Sequence, residues 1–300
     1  MGLFRRLVLT TLATACISSP ALADPALWRV SDDDSDIYLF GSVHIFTREV
    51  NWRTPQFDAL LKSADHVVFE VVMDVDAYAT LTYITITEGT LPNGESLGDM
   101  LDTDEYASLA EVASSVGLEM ASLERMQPWL AALTLGQMAM PKASAGVELL
   151  VDSEIEPERK RSLETVEEQM ALFAGGSREE QIEGLMSTVE GIESGMLANL
   201  APLVDAWESG DTDALKAAMD GFITPRDKAA YAKLIDERNA KWIAPLEKLL
   251  AENDNSLVIV GAGHLVGPEG VPALLEGKGY TVERIDAPTA TGSHIDGARR

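Results

Sequence analysis

The sequence predicts an α/β fold in which two strand-GxxH-helix-strand units pack together, with a large helical insertion between them. Two similar stretches predict the paired units: "YLFGSVH" ends at His44 and "LVIVGAGH" ends at His264. Each is followed by a helical pattern and a second strand-like run, which indicates an internal duplication. From about residue 95 to 250, apolar residues instead recur every three to four positions, as in amphipathic helices.

Residues 1–23 are predicted to be a secretory signal peptide. Two arginines precede an apolar stretch, and Ala21-Leu22-Ala23 has the small residues of a cleavage site, which predicts cleavage after Ala23. The apolar stretch is too short to span a bilayer, so we expect a periplasmic or secreted protein without stable membrane insertion of the mature chain. Cys16 is the only cysteine of the chain, and its lipidation is the alternative to removal of the whole signal.

The first unit opens the single domain predicted for residues 24–286. "LWRV" and "IYLF" are predicted to be two strands of a hairpin, joined by a turn rich in Asp and Ser. Thr54-Pro55 predicts the start of a helix, because proline is favoured in the first turn. "HVVFEVV" then predicts the strand that completes the unit.

The second unit repeats this order near the end of the chain. "SLVIVGAGH" predicts a strand and its motif, "PALLEGKGY" a short helix closed by glycine, and "YTVERI" a returning strand. In the insertion, Pro128 predicts the start of one helix, and Thr165 with Glu168 forms a capping-box pattern at another. Pro245 is expected to kink or end the last helix, and residues 287–300 are predicted to be a disordered tail.

The charge balance excludes one class of partner. The formal net charge is −26, and such a field repels nucleic acid and anionic lipid surfaces. It is compatible with divalent cations or cationic peptides, although a solvated acidic surface explains most of it. The partners predicted are therefore a peptide or a small-molecule substrate; the sequence makes no prediction about oligomeric state.

Two histidines and one glutamate are the candidate metal ligands. His44 and His264 each follow a strand and a glycine turn, and open α/β sheets place ligands at such strand ends. Glu70 is predicted to lie inside an apolar strand, where a buried carboxylate needs a partner or an ion. Two imidazoles and a carboxylate suit a divalent ion such as Mn, Co or Zn. The alternatives are hydrogen-bonded structural histidines and a Glu–Arg salt bridge.

Arg238 is the candidate partner for that carboxylate. It shares the apolar face of a late helix with Ile235, Trp242 and Leu246. A guanidinium in this position is either a structural clamp or a fixed positive charge for a carboxylate or an oxyanion. Asn239, its neighbour, is the remaining catalytic candidate. Glu148 and Glu164 lie near the ends of elements, where surface or capping roles are favoured over a contribution to a cleft, and His66 and His294 are predicted to be incidental.

Several motifs together resemble one family. "YLFGSVH", "ADHVVFEV", "ERMQPWLAAL", "AGVE", "LETVEEQ", "ERNAKW" and "VGAGHLVGPEGV" occur in the order found in the TraB/GumN family, which includes the Tiki metalloproteases. The resemblance covers about Leu27 to Ile285 and implies a divalent-metal peptidase site. By this resemblance, the residues that match functional positions of the family are His44, His264, Glu70, Arg238 and Asn239. One departure is Gly146-Val147-Glu148, where many relatives have Gly-x-Asp.

The function predicted is that of an exported metal-dependent hydrolase acting on peptide bonds. An ion held by His44, Glu70 and His264 would polarise a carbonyl and lower the pKa of bound water, and Arg238 would steady negative charge. Alternatively, Glu70 is the general base. The runner-up is a non-catalytic periplasmic protein that binds metal or a haem-like ligand, or that assists envelope polysaccharide work. A third interpretation is a purely structural polar network.

Overall fold

The computed structural model describes residues 23–140, 144–196, 199–223 and 228–285. The predicted signal peptide, except Ala23, and the predicted tail lie outside the described residues. The strands are β1 (Leu27–Ser31), β2 (Asp36–Ser42), β3 (Ile45–Phe46), β4 (His66–Phe69), β5 (Ser144–Ala145), β6 (Lys160–Ser162), β7 (Ser256–Gly261) and β8 (Thr281–Ile285). The helices are α1 (Pro55–Ser63), α2 (Val75–Thr87), α3 (Thr103–Ser115), α4 (Met120–Leu123), α5 (Pro128–Ala139), α6 (Val147–Asp152), α7 (Val166–Ala174), α8 (Arg178–Glu193), α9 (Ala201–Ser209), α10 (Thr212–Asp220), α11 (Lys228–Tyr231), α12 (Glu237–Ala251) and α13 (Val271–Gly277). None of the helices in the described ranges is both long and apolar enough to cross a membrane.

A six-stranded sheet in the order β6-β4-β7-β2-β1-β8 forms the centre of the fold. β6, β4, β7 and β2 run parallel to one another, and β1 is antiparallel to both of its neighbours. The strands that carry the two GxxH motifs lie side by side, with Gly41 opposite Val260 and Ser42 opposite Gly261. This confirms the predicted α/β class.

Helices cover both faces of the sheet. Successive side chains of a strand point to opposite faces, and those of β2 are apolar on both, so each face needs a covering layer. Phe40 of β2 belongs to a core that includes Phe57 of α1. Its neighbour Leu39 belongs to a second core, with Trp242 of α12 and Leu275 of α13. The sheet is therefore the middle of three layers, and the predicted hairpin β1–β2 and the predicted helices α1 and α13 are present.

The segment from about 95 to 250 is mainly helical and has an apolar core of its own. Residues from α3, α5 and α8 form this core, among them Leu109, Val112, Leu135, Leu185 and Val189. Two of its helices, α9 and α12, instead pack on the two faces of the main sheet, and two short strands also join the segment to the rest of the protein. β6 joins the edge of the main sheet beside β4, and β5 pairs with β3 just after His44.

Two local details differ from the sequence predictions. β4 ends at Phe69, so Glu70 is the first residue beyond the strand rather than a residue within it. The backbone N–H of Gly261 donates to the Glu70 carboxylate at 2.8 Å. A side-chain hydrogen bond thus takes the place of the next backbone hydrogen bond between β4 and β7. α12 continues through Pro245 to Ala251, because a buried face with Trp242 and Leu250 holds the helix on both sides of the proline.

Candidate functional site

The two GxxH turns meet at the carboxyl ends of β2 and β7. A Cβ on Gly41 would lie only 3.0 Å from the Cα of Ala262, so the absence of a side chain at position 41 lets the two turns pack directly against each other. His44 follows β2 in a loop, whereas His264 lies in a short 3-10 helix, Ala262–Leu265. Because β2 and β7 are parallel, both imidazoles lie at the same end of the sheet, beyond the carboxyl ends of the strands.

His264 is buried and fixed through its Nδ1 atom. This nitrogen lies 2.6 Å from Oδ1 of Asn239, whose Nδ2 donates to the carbonyl of Glu269 at 2.8 Å. His264 therefore donates from Nδ1, and its Nε2 accepts from Nη1 of Arg238 at 3.1 Å. The side chain is only 5% exposed, and burial lowers its pKa to about 4, so the ring is neutral at pH 7.

Arg238 joins two carboxylates beside that ring. Its Nη2 donates to Oε2 of Glu70 at 2.5 Å, and its guanidinium also donates to both oxygens of Glu164. A π-helical turn, Ala232–Asp236, precedes it, and the carbonyl of Leu234 in that turn accepts from Nη1 at 3.1 Å. π-Helical turns are frequent at functional sites. The Glu–Arg salt bridge, which the sequence offered as the alternative to a metal ligand at Glu70, is thus present, and its arginine comes from the predicted helix face.

Glu70 remains ionised in this network. Burial raises the pKa of its carboxyl, but the Arg238 charge and the Gly261 N–H outweigh that effect, and the net shift is downward. Two carboxylates, Glu70 and Glu164, face one guanidinium. The cluster therefore has more negative than positive groups, which favours a cation.

His44 is held in a different way, by Glu148. Its side chain is 66% exposed, and its Nδ1 lies 2.9 Å from Oε1 of Glu148, which also accepts from Oγ of Ser42. The hydrogen bond to Glu148 raises the pKa of His44 to about 9. Glu148 reaches the ring because Gly146 packs tightly on the preceding loop: a Cβ on Gly146 would lie 2.1 Å from the carbonyl oxygen of Val43.

Gly261 marks the point on which the predicted trio converges. A Cβ built there would lie 3.2 Å from Oε1 of Glu70, 3.5 Å from Cδ2 of His264 and 3.6 Å from Nε2 of His44. Nε2 of His264 is also 3.8 Å from Oε1 of Glu70. The structure therefore brings His44, Glu70 and His264 around one small space. Asn239 is fully buried and contacts His264, so its place in the arrangement is behind the ring.

The residues are of the types that bind a divalent ion, but Arg238 already contacts two of them, His264 and Glu70. Each histidine directs Nδ1 to an oxygen acceptor, as metal-binding histidines do, but Nε2 of His264 already accepts from Arg238. Among the described residues, Oε2 of Glu148 is buried without a hydrogen-bond partner, so this carboxylate has an unused acceptor. Two contacts would change on binding: Arg238 would release His264, and His44 would approach Glu70, because the donors of the trio do not all lie within 4.8 Å of one another.

A different cluster meets that distance criterion within the described part of the chain. Donor atoms of His66, Glu252 and Asp254 lie within 4.8 Å of one another. This cluster lies at the amino ends of β4 and β7, at the opposite end of the strands from the GxxH turns. Nη2 of Arg161 lies 2.7 Å from Nε2 of His66, and its Nη1 donates to Glu252. A guanidinium thus contacts this cluster, as Arg238 contacts Glu70, Glu164 and His264 at the other end of the strands.

The sequence predictions missed two carboxylates of the site. Glu148 and Glu164 were assigned surface or capping roles, yet they contact His44 and Arg238. Gln169 was not considered, and its amide donates to Glu70 at 3.4 Å and to Glu164 at 3.3 Å. One signal was available: the confirmed capping box makes Thr165 the N-cap of α7, so Glu164 lies directly before the cap.

Comparisons with known proteins identify a family for this chain. The model of the TraB/PrgY/gumN family matches residues 26–284. An uncharacterised protein of Treponema pallidum (strain Nichols) is 23% identical over 260 residues, which cover 81% of this chain and 78% of the relative. No solved structure matches the chain significantly.

Proposed function

Because the chain belongs to the TraB/PrgY/gumN family, we propose that it is an exported, metal-dependent hydrolase that cleaves peptide bonds. The reaction centre is the space bordered by His44, Glu70 and His264. One observation carries the proposal: two anchored imidazoles and an ionised carboxylate surround the same point above Gly261. The resemblance to the Tiki metalloproteases supports peptides as the substrate class.

Each residue has a distinct task in this proposal. His44, Glu70 and His264 hold the ion, which supplies Lewis acidity and a water molecule of lowered pKa when bound. Asn239 holds the ring of His264, and Glu148 holds that of His44. A ring fixed through Nδ1 presents Nε2 without loss of orientation, and this is the preorganisation that a reaction centre needs.

Arg238 stabilises the negative charge that develops on the carbonyl oxygen of the peptide bond being cleaved. Glu164 holds its guanidinium from one side, and the side chain is only 8% exposed, so the positive charge does not have to reorient during the reaction. A fixed donor of this kind contributes more than a solvated one, because water is excluded and the local dielectric constant is low. Arg238 therefore acts as the electrostatic partner of the reacting carbonyl.

Elemental analysis of three purified proteins tests the metal site. We expect one divalent ion per wild-type chain, loss of that ion from the His44→Ala/His264→Ala double variant, and retention in His66→Ala. His66 is the matched control, because it belongs to the cluster at the opposite edge of the sheet. Unchanged stoichiometry in the double variant would contradict the site.

Peptide cleavage tests the reaction. The wild-type protein is incubated with a broad peptide library, with and without a chelator, and products are identified by mass spectrometry after Mn, Co or Zn is restored. Metal-dependent cleavage is the expected result. Normal metal binding without cleavage would instead indicate a non-catalytic binding protein, and a chelator that changes neither thermal stability nor binding would indicate a structural polar network.

Glu70→Gln separates the two roles open to Glu70. If the carboxylate is a ligand, the variant binds the ion more weakly, because the amide carries no charge. If it is the general base, the variant keeps the ion and loses cleavage. Metal stoichiometry and cleavage rate, measured on the same preparation, decide between these roles.

A further inference from the structure

The indole of Trp207 contacts the backbone of the first GxxH turn. Trp207 lies in α9, within the helical insertion, and is only 1% exposed. Its Nε1 donates to the carbonyl oxygen of Gly41, the glycine of the motif, at 2.7 Å. The pairing of β1 with β2 ends at Phe40, so this carbonyl lies beyond the last residue that β1 pairs. A buried carbonyl needs a donor, and an indole 166 positions away in the sequence supplies it.

The peptide group that this indole contacts is also where the two turns meet. Gly41 packs so closely against the second turn that a Cβ at position 41 would lie 3.0 Å from the Cα of Ala262. Ser42, the other residue of this peptide group, donates from Oγ to Glu148, and the same carboxylate oxygen contacts Nδ1 of His44. The orientation of one peptide group therefore affects both the contact between the turns and the carboxylate that holds His44.

Aromatic rings hold the chain on both sides of His44, whose own side chain is largely exposed. Phe40 precedes it and Phe46 follows it, and their ring centroids lie 6.5 and 5.4 Å from that of Trp207. Such ring pairs are favourable beyond the apolar area that they bury. Because the ring of His44 has little packing of its own, its position depends on these neighbours.

α9 is fixed on the domain, so its indole is a fixed donor. Nη2 of Arg48 lies 2.6 Å from Oδ1 of Asp205 and also contacts Glu208. The carbonyl of Glu208 accepts from the backbone N–H of Asp24 at 2.9 Å. Gly210 caps the helix with a left-handed φ of 69°, and a Cβ there would lie 2.2 Å from the carbonyl oxygen of Asp24. These contacts hold α9 against the loop after β3 and against the segment before β1.

We propose that Trp207 is the positioning residue of the first GxxH turn. Its N–H holds the carbonyl of Gly41 so that Nε2 of His44 stays 3.6 Å from the position of a Cβ on Gly261. This inference rests on the proposed function, because it assigns the residue that keeps His44 in place for the proposed ion. Trp207 acts through the backbone and is not itself a catalytic residue. A helix of the insertion thereby sets the geometry of the reaction centre on the sheet.

A pair of isosteric replacements separates the hydrogen bond from ring packing. Trp207→benzothienylalanine exchanges the indole N–H for sulfur and keeps the size of the ring. Trp52→benzothienylalanine is the matched control, because Trp52 is also buried and its ring contacts those of Phe40, Phe57 and Trp207. Both are made in the full chain, and thermal melts establish that each protein is folded before it is compared with the wild type.

The position of His44 is measured without metal, by NMR on protein labelled at histidine and glycine, in the presence of a chelator. The wild type and the Trp52 variant should show a nuclear Overhauser contact between the His44 ring and the α-protons of Gly261. We expect this contact to be at least threefold weaker in Trp207→benzothienylalanine. The affinity for Mn, Co or Zn, measured by titration calorimetry, should fall at least tenfold in the Trp207 variant and less than twofold in the Trp52 variant.

An unchanged contact in folded Trp207→benzothienylalanine would overturn the proposal, because Trp207 would then be a packing residue with a satisfied N–H. Equal weakening in both variants would overturn it too, since ring packing would then be the cause. If Trp207→benzothienylalanine does not fold, Trp207→Phe and Trp52→Phe replace the pair and are read in the same way, because phenylalanine also lacks the N–H.

The two proposals fail in different ways. A contact to Gly261 that weakens as expected, with no metal binding by the wild type, would contradict the metal centre and retain the placement of His44 by Trp207. Metal-dependent cleavage by the wild type, with an unchanged contact in the Trp207 variant, would retain the hydrolase and overturn the role of Trp207. A weakened contact with unchanged metal affinity would also overturn it, since the position of His44 would then not matter for the ion.

Discussion

The two GxxH turns have the same sequence pattern but different surroundings. The ring of His264 is 5% exposed and faces an amide, Asn239, whereas that of His44 is 66% exposed and faces a carboxylate, Glu148. Burial lowers the pKa of the first to about 4, and the Glu148 hydrogen bond raises the pKa of the second to about 9. The same GxxH pattern therefore occurs once with a fixed neutral imidazole and once with an accessible charged imidazole.

The difference between the turns gives each a task in the proposed reaction. In the proposed site, His264 needs no deprotonation to bind a cation through Nε2, because its proton is on Nδ1, but Arg238 must release that nitrogen first. His44 must first release a proton, so ion binding at this ring competes with protonation. In the proposed reaction, His44 in the exposed turn changes its protonation and position when an ion or substrate binds. His264 in the buried turn keeps its position.

The largest expected effect comes from removing the charge behind the buried turn. Arg238→Leu leaves Glu70 and Glu164 facing each other without a cation, in side chains that are 12% and 9% exposed. We expect a loss of about 3–5 kcal/mol in the free energy of unfolding, measured by urea denaturation. Arg238→Lys is the control and should lose less, because it retains the charge. Equal stability of wild type and Arg238→Leu would contradict the buried network.

Alanine at each histidine compares the turns directly. His264→Ala removes a buried ring that contacts Asn239, Arg238 and Trp242, and it should cost about 2 kcal/mol in the free energy of unfolding. His44→Ala should cost less than about 0.5 kcal/mol, because the side chain is largely exposed. Both should abolish cleavage. Similar stability losses in the two variants would show that the turns are equivalent.

The glycines of the two turns should also respond differently to alanine. At Gly41 the new Cβ would lie 3.0 Å from the Cα of Ala262, so we expect overpacking that costs about 1–3 kcal/mol. At Gly261 the nearest atom is Oε1 of Glu70 at 3.2 Å, the end of a side chain, so stability should change less. Gly261→Ala instead fills the space beneath the trio and should lower metal affinity. Thermal melts and metal titration of both variants measure these effects.

The smallest expected effect on stability concerns protonation of His44. In metal-free protein, NMR titration should give a midpoint near 9 for the wild-type ring and a value closer to 6.5 for Glu148→Gln. Because the folded-state pKa is raised, the contact stabilises the protein below about pH 6.5 and loses its contribution as the pH rises through about 9. Solvent screening keeps this contribution below about 1 kcal/mol. If His44 had the same titration midpoint in Glu148→Gln as in the wild type, the Glu148 carboxylate would not be the cause of the raised pKa.

Glu148 and Glu164 illustrate the limit of sequence-based prediction for the site. Each lies within two residues of a helix start, where acidic residues are common for local reasons. Their contacts with His44 and Arg238 join residues separated in sequence by 104 or by 74 positions. Local patterns contain no information about such contacts, so the capping interpretation was reasonable and incomplete.

The sequence by itself determined the two strand-GxxH-helix-strand units, the helical character of the middle segment, and the candidates His44, Glu70, His264 and Arg238. These features depend on hydrophobic periodicity, glycine turns and apolar helix faces, all of which are local. Only the tertiary structure decided that the two turns differ in burial and that Glu148 and Glu164 complete the site. Those outcomes depend on where β5 and β6 attach the insertion to the sheet, because long-range packing sets solvent exposure and charge pairing.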